Sequence, residues 1–311
     1  MSQASSPADQ KLRGALTIMA TVAMASSTDA LIKLLSGGYP IHEVNTIRSG
    51  SALVMAGVLV WWKGEVGNLL PSRLGFLLLR GLLLAFGNMC FFLAFAAMPL
   101  ADVVAIYFTM PFFVAGLVSP FLGEKVRLHR WIAIVAGFGG VVVMTRPGEG
   151  VFEPAALLAL GAAFFYGVGQ GMARPLGDHI SPWVTAFWQA VIYLAMALVL
   201  AGIFGTGHFD QESHESLRFL TRGWVMPSLM DMGLMIVLGI LAGLLMQLFV
   251  VSYKLADVSF IAPFEYTSMF WAVLTGYLIF GDVPDFHTLL GAAIVVAAGL
   301  FMIRMDHYFR A

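Results

Sequence analysis

Two stretches decide the fold. "GEKVRLHRWIAIVAGFGGVVVMTR" runs from Gly123 to Arg146, and "GDVPDFHTLLGAAIVVAAGLFMIR" runs from Gly281 to Arg304. At a constant offset of 158 positions, Gly123 meets Gly281, His129 meets His287, Met144 meets Met302 and Arg146 meets Arg304. Upstream, "PLADV" and "KLADV" align at an offset of 155, which implies a three-residue insertion in the later copy. "DALIK" (29–33) answers weakly to "QGMAR" (170–174). Oily helices share a small alphabet, so chance similarity is the competing explanation. Matched polar residues in the same order favour duplication.

Composition says where such a chain lives. Of its 311 residues, 59% are hydrophobic and only 11% are charged, against about 25% charged in soluble domains. Its 33 Gly, 25 Phe and 18 Met suit helices packed in lipid, where small residues allow close approach. A soluble protein of this composition would expose too much apolar surface to stay dispersed. The net charge of −1 offers no field for nucleic acid, and no nucleic-acid partner is expected. The single cysteine, Cys90, excludes an internal disulfide.

Apolar runs long enough to cross a bilayer, about 20 residues each, fall at about 15–35, 44–62, 75–97, 101–122, 129–145, 155–173, 183–203, 230–253, 257–280 and 286–304. Pro99 and Asp102 mark a turn between the third and fourth. The polar residues 1–14 read as a disordered cytoplasmic tail, and 305–311 as a cytoplasmic C-terminal tail. The linker around 204–229 is long enough for a short surface helix.

Orientation follows from Lys and Arg placement. With the N-terminus inside, Lys11, Arg13, Lys63, Arg73, Arg80, Lys125, Arg127, Arg130, Arg174, Lys254, Arg304 and Arg310 fall on the inner side. Arg146, Arg218 and Arg222 fall outside, while Lys33 and Arg48 lie within spans. Ten spans with both termini cytoplasmic explain that bias. Residues 15–146 and 155–304 then form two five-helix halves. An odd number of spans makes the second half enter from the opposite side, so the halves are inverted repeats. Inverted repeats are a transporter architecture, with the substrate site near mid-membrane between them.

At these residues the chain resembles a known family. The paired ten-span plan, Arg48 early in span 2, the "P…GE" pattern of Pro111, Gly123 and Glu124, and its echo "P…GD" of Pro263, Gly281 and Asp282 are similar to the drug/metabolite transporter superfamily with two EamA-type repeats. The likeness covers about residues 15 to 305. "SSTDALIKLLSGGYP" in span 1 looks like a bacterial branch that includes uptake carriers for riboflavin and S-adenosylmethionine; amino-acid exporters share the plan. The resemblance implies a central cavity lined by spans 1, 3, 4, 6, 8 and 9.

Charged groups inside a span cost about 2.5–3.5 kcal/mol at its centre and usually face a cavity or a partner. Asp29 and Arg48 each lie about fourteen residues, roughly 21 Å, from the inner ends of their spans and could pair. Lys33 lies four residues beyond Asp29 on the same helical face. One reading makes Arg48 and Lys33 a structural ion cluster with Asp29; the other puts Asp29 in the pathway, binding substrate or a proton. Glu265 lies roughly 12 Å into span 9 with no basic residue within four positions. It is either a proton-binding group facing a cavity or a protonated carboxyl bonded to a neighbouring helix. Pro111 and Pro263 interrupt spans 4 and 9, freeing backbone carbonyls where a cavity or neighbouring groups satisfy them.

Further substrate- or proton-binding candidates are Asn88 and Phe92 (span 3), Tyr107 (span 4), Tyr166 and Gln170 (span 6), Gln247 (span 8) and Tyr266 (span 9). Pockets combine aromatic walls with a few polar anchors, though each such residue could equally be packed between helices. Trp61, Trp62, Trp131, Trp183 and Trp224 read as interface anchors. The glycines of "YGVGQG" in span 6 follow no strand and are not a nucleotide loop. His208 and His214 read as solvated; no metal site and no cofactor are expected.

The sequence therefore predicts an all-α integral protein of the bacterial inner membrane: a secondary transporter moving a small organic metabolite of amino-acid or vitamin type by alternating access, with proton coupling through Glu265 or Asp29. Uptake of riboflavin or S-adenosylmethionine is the alternative to amino-acid export. A lipid-modifying membrane enzyme and a channel are more distant readings. The expected partners are the substrate and the bilayer, with monomer and homodimer both open.

Overall fold

The computed structural model describes residues 7–118, 126–146, 153–173, 180–210, 214–255, 261 and 264–308. All regular structure among them is helical. Eight helices are long and apolar enough to cross a membrane, and Ala155–Gly171 and Thr267–Phe280 are shorter apolar helical segments.

α1 (Pro7–Ser36) starts inside the stretch read as a disordered tail. Pro7 opens the helix, where its fixed φ suits the first turn and its missing N–H is no loss. Good helix formers then carry the chain into the apolar run. α2 (Ile41–Trp62) brings His42 and Glu43 inside its first turn, both fully buried. Glu43 Oε2 accepts the Val225 N–H at 2.9 Å. α3 (Leu74–Ala97) and α4 (Leu100–Tyr107) are separated by the turn at Pro99, so no single long helix crosses here.

The expected continuous span over 101–122 is broken. After α4 the chain turns at Phe108 and Thr109, resumes as α5 (Met110–Phe113) and passes into a π-helical turn, Val114–Val118. Pro111 is the physical cause: it has no N–H to give the Tyr107 carbonyl four residues back. Within the break, Thr109 Oγ1 donates to the Ile106 carbonyl at 2.7 Å. Residues 119–125, with Gly123 and Glu124, lie outside the described residues.

α6 (Leu128–Thr145) ends with Arg146 in the left-handed region, φ 41°. α7 (Ala155–Gly171) and α8 (Pro182–Phe204) follow. α9 (Glu215–Thr221) is the short helix expected in the long linker. It is a packed element, since Phe219 is buried and Ser216 Oγ donates to the Leu93 carbonyl at 2.7 Å. α10 (Leu229–Leu255) precedes residues 256–260 and 262–263, so Pro263 lies outside the described residues. α11 (Thr267–Thr275) begins after a turn at Tyr266 and ends, like α5, in a π-helical turn, Gly276–Phe280. α12 (Phe286–Tyr308) runs into the stretch read as the 305–311 tail.

The packing has an internal symmetry. α6 lies along α12, α2 along α8, and α4 against α11. Six further contacts come in exchanged pairs: α3 with α7 and α10 with α1; α2 with α10 and α8 with α3; α1 with α11 and α7 with α4. Swapping the first five apolar segments for the last five returns these contacts, while α3 with α9 and α4 with α12 stand outside the exchange. Small residues set the closest approaches. A Cβ on Gly140 would stand 2.7 Å from the Gly291 carbonyl oxygen, and one on Gly291 would overlap Gly140 and Met144.

Candidate functional site

Among the described residues, the larger of two cavities of similar size, about 260 Å³, lies between α2, α3, α7, α8 and α10. Residues from both sides of the internal symmetry line it: Arg48, Arg80 and Asn88 from one, Tyr166, Gln170, Gln189, Tyr193 and Gln247 from the other. Trp183, Leu59 and Met55 extend its apolar wall.

Most of its polar groups are held. Arg80, 6% exposed, donates from Nε to the Gly169 carbonyl at 3.0 Å and from Nη2 to Gln170 Oε1 at 3.1 Å. Gln189 Nε2 donates to the Gly81 carbonyl at 3.3 Å. Asn88 Nδ2 reaches the Tyr166 hydroxyl at 3.4 Å, and the Tyr193 hydroxyl donates to the Leu84 carbonyl at 3.2 Å. The Arg48 guanidinium lies over the Phe92 ring, 5.1 Å from its centre, while its Nε is buried without a hydrogen-bond partner. Such stacking is worth about 2 kcal/mol where water is excluded.

Behind this cavity, aromatic rings fill the centre of the bundle. Tyr107 meets Tyr166 edge-on at 5.5 Å, and Phe108 meets Tyr266 at 4.8 Å. The two broken helices thus touch at their breaks. Gly299 of α12 leaves room for the Tyr266 hydroxyl, which a Cβ there would overlap. Asp29 and Glu265 are both close enough to Tyr107 to act on it electrostatically, and Asp29 also acts on Arg48.

The structure therefore sorts the sequence candidates into two groups. Arg48, Asn88, Tyr166, Gln170 and Gln247 line the cavity. Phe92, Tyr107, Tyr266, Asp29 and Glu265 lie outside its lining, in or around the aromatic layer. The expectation of a cavity walled by spans 1, 3, 4, 6, 8 and 9 changes accordingly. Spans 2 and 7 (α2 and α8) enter the lining, and among the described residues spans 1, 4 and 9 contribute none. Rings at 107, 108, 166 and 266 pack in pairs where spans 4, 6 and 9 meet.

Lys33 also departs from the expected cluster. Its Nζ reaches Asp282 Oδ2 at 3.2 Å and the Met98 carbonyl at 2.9 Å, across the bundle rather than back to Asp29.

Arg80, Gln189, Tyr193 and Trp183 were not among the sequence candidates. Arg80 was read as a positive charge near a span end, and Trp183 as an interface anchor. Gln189 and Tyr193, four residues apart in an apolar helix, share one helical face; that spacing is the signal that could have found them.

A second cavity, about 250 Å³, lies where the turn before α4, the end of α6, the start of α7 and the turn before α12 converge. Asp102, Arg146, Glu153, Asp285 and Thr288 line it. Arg146 pairs with Asp285, and Glu153 pairs with His214 at 2.8 Å. His214 is thus engaged, not simply solvated. Among the described residues no group of three or more His, Cys, Asp or Glu could hold a metal ion.

A helical membrane protein whose two similar halves share an apolar cavity set with a few polar side chains belongs to the class of multi-pass carriers. Two segments, residues 12–146 and 153–305, each match the EamA-like transporter family, and the chain belongs to that family. It is 28% identical over 271 residues to a riboflavin transporter of Vibrio cholerae, covering 86% of this chain and 85% of that one. It is 26% identical over 292 residues to an S-adenosylmethionine uptake transporter of Rickettsia felis, covering 94% and 92%. A pseudopaline exporter of Pseudomonas aeruginosa is 25% identical over 284 residues, covering 90% and 92%. A solved crystal structure with 17% identity superimposes with a TM-score of 0.63 over 96% of this chain and 99% of that one, which supports the fold. The protein is a multi-pass protein of the bacterial inner membrane.

Proposed function

We propose that the protein is a secondary carrier for a small organic metabolite, working by alternating access between two inverted five-helix halves, residues 15–146 and 155–304. In this reading the chain crosses the membrane ten times with both termini cytoplasmic. Ala155–Gly171 and Thr267–Phe280 supply the two short crossings; seventeen helical residues reach about 25 Å. The observation that carries the proposal is the cavity whose wall is shared by the two matched segments. Mid-membrane sites between repeats serve carriers that rock one half against the other. Its work is translocation, and no bond-making step is assigned to it.

Asn88, Tyr166, Gln170 and Gln247 are the proposed substrate contacts, with Trp183, Gln189 and Tyr193 added from the cavity wall. Arg48 faces the same cavity and acts on Asp29 only through space. Glu265 is the proposed proton site, placed behind the Tyr107–Tyr166 edge, where a rearrangement at the cavity reaches it through packed rings. The relatives named for riboflavin and S-adenosylmethionine favour a metabolite carrying a nitrogen heterocycle.

Reconstitution in proteoliposomes tests this. Riboflavin, S-adenosylmethionine, nicotinate and the common amino acids are offered with and without a pH gradient. A carrier gives saturable exchange accelerated by substrate on the far side. Non-saturating flux, or no exchange across the panel by folded protein, rejects it. Glu265→Gln is expected to abolish stimulation by the pH gradient while leaving exchange intact; unchanged stimulation removes Glu265 from coupling.

A further inference from the structure

We infer that the larger cavity receives a substrate with an anionic end, a carboxylate or a phosphate, held between Arg48 and Arg80. The inference rests on the carrier reading and adds the charge of the cargo.

Two arginines and no acid line this cavity. An arginine keeps its charge in any protein environment, and a charge within a membrane span normally demands a partner. Arg80 is 6% exposed, yet its hydrogen bonds go only to a backbone carbonyl and an amide oxygen. Those neutral acceptors hold the guanidinium still without neutralising it. No carboxylate lies within ion-pair distance of it among the described residues. Arg48 has a buried Nε with no hydrogen-bond partner. Asp29, its nearest acid influence, acts through space and forms no ion pair with it among the described residues. The cavity thus presents two cations that the protein itself leaves without a bonded anion.

A guanidinium offers a planar fork of donors that matches the two oxygens of a carboxylate or the edge of a phosphate. Arg48 and Arg80 approach from different helices, α2 and α3, so an oxyanion between them draws both to one ligand. The amides of Gln189 and Gln247 and the rings of Tyr166 and Trp183 suit the body of a planar, polar molecule. The second cavity makes the contrast: there Arg146 already holds Asp285. Free arginines belong to the first cavity alone of these two.

Binding to the full-length protein in lipid nanodiscs tests the inference with two matched pairs, nicotinate against nicotinamide and riboflavin 5′-phosphate against riboflavin. The anion of at least one pair is expected to bind about tenfold or more tighter than its neutral partner. A preference confined to the first pair identifies a carboxylate, and one confined to the second a phosphate. Arg80→Gln is expected to weaken the anion about tenfold more than its neutral partner and so erase the preference, and Arg80→Lys to keep most of it.

Equal binding within both pairs overturns the inference, as does failure of both anions to bind at about 1 mM. Equal weakening of anion and neutral partner by Arg80→Gln also overturns it, because that marks a purely structural arginine. If Arg80→Gln does not fold, Arg48→Gln carries the test, and an unchanged preference there overturns it. The two readings fail separately. Exchange of only neutral or cationic solutes leaves the carrier standing without the inference. Anion binding without exchange leaves the inference standing without the carrier.

Discussion

The two cavities are nearly equal in volume, about 260 Å³ and about 250 Å³, and treat charge in opposite ways. Around the second, the cations meet acids, Arg146 with Asp285 and Lys33 with Asp282 beside it, while Glu153 bonds the His214 ring. These pairs join segments far apart in the chain and draw that end of the bundle together. In the first cavity, Arg80 is held by neutral oxygens, Arg48 lies over the Phe92 ring, and no acid shares the wall. One end of the molecule pairs its cations by closing on itself; the other keeps a hollow whose cations are positioned and have no bonded acid. An alternating-access carrier needs both kinds of region, a closure that can part and a site that can fill.

The largest expected effect tests whether the first cavity's charges are truly independent of the acids behind it. Arg48→Leu leaves Asp29 without its nearest positive charge in the protein interior, and is expected to destabilise the detergent-solubilised protein by about 3–5 kcal/mol. Adding Asp29→Asn should recover most of that loss. Thermal denaturation of the single and double variants reads the coupling. A double variant no more stable than Arg48→Leu would mean that Arg48 does not offset Asp29 through space.

The middle effect tests closure at the second cavity. The ion pairs there are partly exposed, with side chains 14–43% accessible for Lys33–Asp282 and Arg146–Asp285. Each is worth at most about 1 kcal/mol. Breaking Arg146 and Lys33 together, as Arg146→Ala with Lys33→Ala, should therefore barely shift melting. It should still raise the thiol-labelling rate of an Ala156→Cys probe several-fold, in a Cys90→Ala background. Labelling that stays unchanged would show that these pairs decorate the closure without holding it.

Much of this plan was legible in the residues. The matched Gly, His, Met and Arg of the two quoted stretches announced the doubling, because duplication preserves order and spacing. Hydropathy located the apolar segments because a bilayer asks each for a similar length. Arg48, Asn88, Tyr166, Gln170 and Gln247 could be named from sequence because a polar group in an oily helix is costly enough to need a reason. Which of them share a void was not legible. Lys33 looked like a partner for Asp29 four residues away, yet it bonds Asp282, 249 positions distant. Helical spacing gives the face a residue occupies but not the helix that packs there. The cavity's position was hidden for a related reason: rings from α4, α7 and the chain before α11 fill the centre, and only their packed geometry shows it.

The smallest expected effect sharpens the comparison at one carboxylate of the second cavity. Asp285 precedes α12 and caps it, accepting the Thr288 N–H at 2.7 Å. That bond, with the Thr288 hydroxyl and the Arg146 and His287 charges, holds its carboxyl below the ordinary value of 3.8. A lowered value means that the folded state binds this proton less readily than the unfolded chain. The stabilisation is therefore complete above about pH 4 and is lost as pH falls through the lower folded value. Asp285→Asn keeps a capping oxygen and removes the charge, so its difference from the wild type isolates the ionic part. At neutral pH that difference is expected to be at most about 1 kcal/mol, because the side chain is 43% exposed and the pair is screened. It should shrink toward zero on acidification below about pH 4 and fall with added salt. A difference that persisted at low pH would assign the role of Asp285 to its cap alone, and the closure would lose one of its charges.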